Sequence, residues 1–85
     1  MFEMKDVIYA KEVLGIEFNY YTEEEFLDGM NIELEHGMRN YLTNVTNDDV
    51  VTTAKIVLAH LNEYPNYYNK TYGLRAFERY LKSKL

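Results

Sequence analysis

At 85 residues the chain has room for one hydrophobic core, since a unit of this size buries only somewhat more than roughly 60% of the surface its unfolded form exposes. It contains no cysteine, which excludes a disulfide framework, thiolate metal sites and thiol catalysis, and which suits a reducing compartment such as the cytoplasm. The net charge of −5 is uneven: residues 1–63 carry four Lys/Arg against thirteen Asp/Glu, a balance of −9, while residues 64–85 carry five against one, a balance of +4. An acidic body repels phosphate, which disfavours general nucleic-acid binding.

Met1-Phe2-Glu3-Met4-Lys5-Asp6 lacks the basic-then-apolar order of a secretion signal, and no apolar run approaches the roughly 20 residues of a membrane span. Export is therefore not expected. The first helix is predicted over residues 4–14, where Met4, Val7, Ala10, Lys11 and Leu14 share a face and Gly15 supplies a left-handed stop. Residues 16–21 read as a loop or short extended piece.

The second helix, predicted over 23–37, opens at Thr22, whose hydroxyl caps the backbone while Glu25 answers it. Glu23, Glu24 and Glu25 also complement the positive end of the helix dipole. Phe26, Leu27, Met30, Leu34 and Met38 recur at three- and four-residue steps and form the apolar stripe. Gly29 permits close helix approach, and Gly37 is either the stop or the start of a frayed last turn. Residues 40–47 read as a loop, followed by Thr46-Asn47-Asp48-Asp49 as a second capping-box start.

The third helix is predicted over 48–64, with Val50, Ala54, Val57, Leu58 and Leu61 inward and Pro65 setting its end. A fourth is predicted over 66–82, with Leu74, Phe77 and Leu81 inward and Gly73 as its weak point. Asn44-Val45-Thr46 and Asn69-Lys70-Thr71 match the glycosylation acceptor pattern, but without export they serve as turn and capping residues. The whole is expected to be all-α: a compact bundle of about four helices in a single domain spanning 1–85.

Glu25-Phe26, Gly29-Met30-Asn31-Ile32-Glu33-Leu34-Glu35-His36-Gly37, Asn44-Val45-Thr46-Asn47-Asp48-Asp49 and Ala59-His60-Leu61-Asn62-Glu63-Tyr64-Pro65-Asn66-Tyr67-Tyr68 resemble a family of small uncharacterised bacterial and phage proteins, a domain of unknown function. The resemblance covers most of residues 5–70 and leaves 69–85 outside its pattern. It implies a compact helical domain of bacterial or mobile-element origin and brings no activity with it.

Chemistry begins with the only two histidines. Residues three apart share a helix face, so Glu33 stands beside His36 and His60 beside Glu63, and two facing helices could offer all four to one zinc, manganese or iron ion. Carboxylate-bridged metal bundles use the same Glu-x-x-His step, but a dinuclear site needs further carboxylates that the first and last helices do not place in register. At about 100° per residue, Glu33 and His60 fall at the border of their apolar stripes, and His36 and Glu63 point further outward. The simpler arrangement has Glu33 or another acceptor holding His60 at the rim of the core, with His36 meeting local carboxylates or water.

Nine tyrosines form the second population. Tyr20, Tyr21, Tyr64, Tyr67, Tyr68 and Tyr72 either present a recognition surface or cover a small core with their hydroxyls wet. Tyr67 and Tyr68, just after Pro65, are expected to close one end of the bundle. Arg75, Arg79 and Lys82 form a basic stripe that suits an anionic ligand, or simply a helix C-terminus facing an acidic body.

Most hydrolase and transferase mechanisms lack their parts. The single serine is Ser83, and the four glycines never cluster into a phosphate loop. The leading reading is a non-enzymatic interaction or accessory protein with another protein as partner, without a cofactor, and compatible with a homo-oligomer. The alternative is a mononuclear metal-binding domain built on Glu33, His36, His60 and Glu63.

Overall fold

In the computed structural model, residues 1–39, 42, 44, 46–69 and 73 are described. Among them are three helices and no strand: α1 (Met4–Leu14), α2 (Glu23–Arg39) and α3 (Val50–Glu63). The all-α expectation holds, whereas the helix count and several boundaries differ from the sequence reading.

Helix α1 has the predicted limits. Its start is fixed where the Glu3 amide donates to the Asp6 carboxylate at 2.8 Å and the Asp6 amide donates to the Glu3 carbonyl at 2.9 Å. Its end is Gly15, left-handed at φ 67°, with the Gly15 and Ile16 amides both reaching the Lys11 carbonyl at 2.9 and 3.1 Å. Ile16, read as part of a polar exit, is instead buried.

Helix α2 begins with the expected reciprocal cap. The Glu25 amide donates to Thr22 Oγ1 at 3.0 Å, and the Thr22 amide donates to Glu25 Oε1 at 3.3 Å. The helix runs past Gly37 to Arg39. Gly37 stays helical because it is a contact point and not a terminus: a Cβ there would lie 2.8 Å from the Asn44 side chain, and the Glu35–Arg39 pair at 3.0 Å spans the last turn. The buried stripe is Phe26, Gly29, Met30 and Gly37. Met38, expected inside, is 71% exposed.

Helix α3 starts at Val50 and not at residue 48. Asn47 and Asp48 both have positive φ, 49° and 60°, which no helix accommodates. Asn44 holds them there by accepting from the Asn47 amide at 3.0 Å and donating to Asp48 Oδ1 at 3.0 Å. The cap is Asp49 alone, whose Oδ2 accepts from the amide and the hydroxyl of Thr52, both at 2.9 Å. Thr46 forms the preceding turn instead, accepting from the Asp49 amide at 3.0 Å. The helix closes at Glu63, and Tyr64 is extended (φ −148°) as Pro65 demands.

Residues 65–68 are turns and not the first turn of a fourth helix. The Tyr67 amide bonds the Tyr64 carbonyl and the Asn69 amide bonds the Asn66 carbonyl, each at 2.9 Å, and this tight path delivers the Tyr68 ring to the core. Apart from Gly73, the remainder of the predicted fourth helix from residue 70 onward lies outside the described residues, as do Tyr72, Arg75, Arg79 and Lys82.

Each helix packs on the other two. Their shared core is Val7, Ala10, Ile16, Phe26, Met30, Ala54, Val57, Leu61 and Tyr68. Gly29 lets α2 pack closely on α3 and the Tyr68 ring: a Cβ there would stand 3.0 Å from Val57 Cγ1 and 2.7 Å from Tyr68 Cδ2.

Candidate functional site

Two places carry polar chemistry. The first is built on α2 by the step from Gly29 to Glu33, one helical turn. Gly29 leaves a gap that the Tyr68 ring fills, and the carboxylate one turn further on meets its hydroxyl. Tyr68 Oη donates to Glu33 Oε1 at 2.8 Å, and His60 Nδ1 lies 2.7 Å from Tyr68 Oη. Nδ1 is also 3.4 Å from Glu33 Oε1. With the Tyr68 hydroxyl donating its proton to the Glu33 carboxylate, its oxygen is left to accept from the imidazole at Nδ1. The other contact of the ring is Tyr67, stacked at 4.4 Å and 18°.

Tyr68 is 2% exposed. Burial, and then the hydrogen bond to Glu33, push its hydroxyl above the ordinary tyrosine range. A neutral, buried phenol of that kind is a poor acid and a firm structural donor. The arrangement orients its three members and joins their polar groups across α2, α3 and the turn that follows.

Of the four residues considered as metal ligands, the structure brings together Glu33 and His60. His36 and Glu63 are exposed, and no three His, Asp or Glu side chains among the described residues gather closely enough to hold a metal ion. The reason is angular. A three-residue step turns about 300°, so with Glu33 and His60 drawn to Tyr68 their partners swing toward solvent. His60 is held at the rim by Tyr68, with Glu33 as the acceptor beyond it. Tyr68, for which the sequence leaves open a recognition surface or cover over a small core, is a core residue. Its linking role was missed, and the available signal was Gly29 one turn before Glu33, a gap that needs a ring.

The second place is the loop between α1 and α2. Phe18 meets Phe26 and Tyr21 edge-on at 5.6 and 5.7 Å, and Tyr21 stacks on Phe26 at 6.4 Å. Burial raises the Tyr21 hydroxyl above its usual range. In the same loop Tyr20 is 80% exposed and takes part in lining two clefts. One, of about 580 Å³, is floored by Ile16, Leu58, Leu61 and Pro65 with Glu17 at its rim. The other, of about 700 Å³, is lined by Phe18, Glu23, Glu24 and Glu25. Among the remaining tyrosines of the sequence cluster, Tyr64 is 45% exposed and Tyr67 half-buried. A third groove, of about 660 Å³, lies along α2 beside Met1, Ile32, Leu34 and Met38.

Fold and site together define a small helical domain whose Glu33–Tyr68–His60 network ties its own core together. The chain belongs to a family of proteins of unknown function, DUF5661, whose model matches residues 7–78. The match reaches beyond residue 69, so part of the basic segment belongs to the family pattern. No curated protein and no solved structure matches the chain. Among the described residues no helix is long and apolar enough to cross a membrane.

Proposed function

We propose that this chain is a non-enzymatic interaction domain, an accessory protein of the cytoplasm of a bacterium or mobile element, which meets a partner protein through the Tyr20 loop. The carrying observation is the exposure of Tyr20 at 80% in a loop whose neighbouring Phe18 and Tyr21 pack with Phe26. A large exposed ring with two side-chain torsions supplies contact area with little ordering cost, the property that enriches tyrosine in recognition surfaces. The Glu33–Tyr68–His60 network supports the same reading from the other side. Its hydrogen bonds are satisfied internally, which leaves the candidate acid–base residues committed to packing.

The test is partner capture with the immobilised chain. A protein retained by the wild type, lost with Tyr20→Ser and kept with Tyr9→Ser is the expected result, because Tyr9 is an exposed ring (55%) on the outer face of α1. Identical capture by all three forms removes this reading.

A further inference from the structure

The Tyr20 surface also indicates the chemistry of what it meets, an inference that rests on the interaction reading above. Within the molecule, one cation has already been received on this side. Lys11 Nζ lies 5.6 Å above the Phe18 ring and 3.6 Å from Glu23 Oε1, so a ring and a carboxylate together hold an ammonium group. Tyr20 offers a second ring, more exposed than Phe18, with Glu17 in one adjoining cleft and Glu24 in the other. No described Lys or Arg lines either cleft. The half-buried Leu58 and Pro65 of one cleft suit the methylene stem of a long basic side chain, whose charged head would reach the acidic rim.

We infer that the Tyr20 loop docks a lysine- or arginine-bearing segment of the partner protein, with a cationic side chain against the Tyr20 ring and between the Glu17 and Glu24 carboxylates. Cation–π attraction and the local negative field act together here. A tyrosine ring has only two side-chain torsions to fix, so little order is lost on docking. The −9 balance of residues 1–63 steers a basic segment toward this face and makes the encounter sensitive to salt.

The experiment is a two-dimensional NMR titration of the ¹⁵N-labelled full chain with a short capped peptide alternating Lys and Gly, beside a control in which Gln replaces each Lys. The expected result is saturable shifts at Glu17, Asn19, Tyr20 and Glu24 with the Lys peptide alone, weakening as salt is raised. Tyr20→Ala should then lower affinity about three- to fivefold, and Tyr20→Phe, which keeps the ring, should stay within about twofold of wild type. Shifts spread evenly over the outer face of α1, an unchanged affinity in Tyr20→Ala, or no binding at all would overturn the inference. Self-association abolished by Tyr20→Ala would overturn it too, by placing another copy's basic segment on this face. Failure of the peptide while Tyr20→Ser still abolishes capture of a partner leaves the interaction reading standing and removes only the cationic ligand.

Discussion

Position 68 shows how one side chain ties several parts of the molecule together. The ring fills the gap over Gly29, and the hydroxyl satisfies Glu33 on α2 and His60 on α3. Replacing Tyr68 by Phe keeps the ring and removes the bridge, leaving a carboxylate and an imidazole nitrogen short of a partner in a half-buried site. The expected cost is about 1–3 kcal/mol in chemical denaturation. The alkaline limb adds an independent reading. Because the Tyr68 hydroxyl is held above the usual range, its contribution is complete below the unfolded tyrosine value of about 10 and is lost as pH rises above it. Tyr68→Phe should therefore flatten the loss of stability between neutral and strongly alkaline pH, and an unchanged alkaline slope would show that Tyr68 is not the group responsible. Gly29→Ala attacks the same contact from below. A methyl 2.7 Å from Tyr68 Cδ2 and 3.0 Å from Val57 Cγ1 meets a buried ring and a packed core. Overpacking of about 1–3 kcal/mol outweighs the helix-propensity gain of roughly 1 kcal/mol that Gly to Ala brings on an open helix. A stabilised Gly29→Ala protein would mean that the ring does not sit over residue 29.

At the scale of the element, the capping chemistry was legible and the packing chemistry was not. Thr22 with Glu25, and Gly15, mark α2 and α1 correctly because caps are local: the residues that satisfy each exposed amide lie within four positions of it. The start of α3 was read two residues early, since Thr46-Asn47-Asp48-Asp49 has capping residues at both ends, and the choice is made by Asn44 drawing residues 47 and 48 into left-handed backbone. The extension of α2 past residue 37 and the turns at 65–68 escape the local pattern for a related reason. What they do depends on contacts with Asn44 and with the α2–α3 gap, and no local pattern reports those. In the candidate site the pairing of Glu33 with His60 could be read from the helical wheel, but its bridge through Tyr68, 35 residues from Glu33, could not. The Asp49 cap gives a test at this scale. Hydrogen bonds from the Thr52 amide and then its hydroxyl hold the Asp49 carboxyl below the usual aspartate range. Its contribution is thus present above the unfolded aspartate value and is lost as pH falls through that range. Asp49→Asn retains an oxygen that can accept from Thr52. It should therefore leave helicity by circular dichroism nearly unchanged at neutral pH while reducing the acid-side loss of stability. An acid limb identical to wild type would assign that limb to other carboxylates.

For the molecule as a whole, the consequence lies in how the core is shared. Each of the three helices contacts the other two, and the nine buried apolar residues form one cluster drawn from α1, α2, α3, the loop at Ile16 and the turn at Tyr68. No helix can leave without exposing apolar surface on the remaining pair, so local loss of structure carries nearly the full cost of global loss. The described part of the chain should unfold as one cooperative unit. With no tryptophan present, tyrosine absorbance and near-ultraviolet dichroism report on the interior, Tyr68 and Tyr21 foremost, while far-ultraviolet dichroism reports on the helices. The two transitions are expected to coincide in urea, and Leu61→Ala should move both to lower denaturant together, by an amount corresponding to about 2–5 kcal/mol for a fully buried leucine. Leu61 is the appropriate probe because it is 1% exposed and lies near the end of α3, one position after the histidine that Tyr68 anchors. If the tyrosine signal is lost while helicity persists, the Tyr68 turn comes away from the three helices as a separate step. The Glu33–Tyr68–His60 network would then be a latch on a bundle already folded, and not a part of what makes it fold.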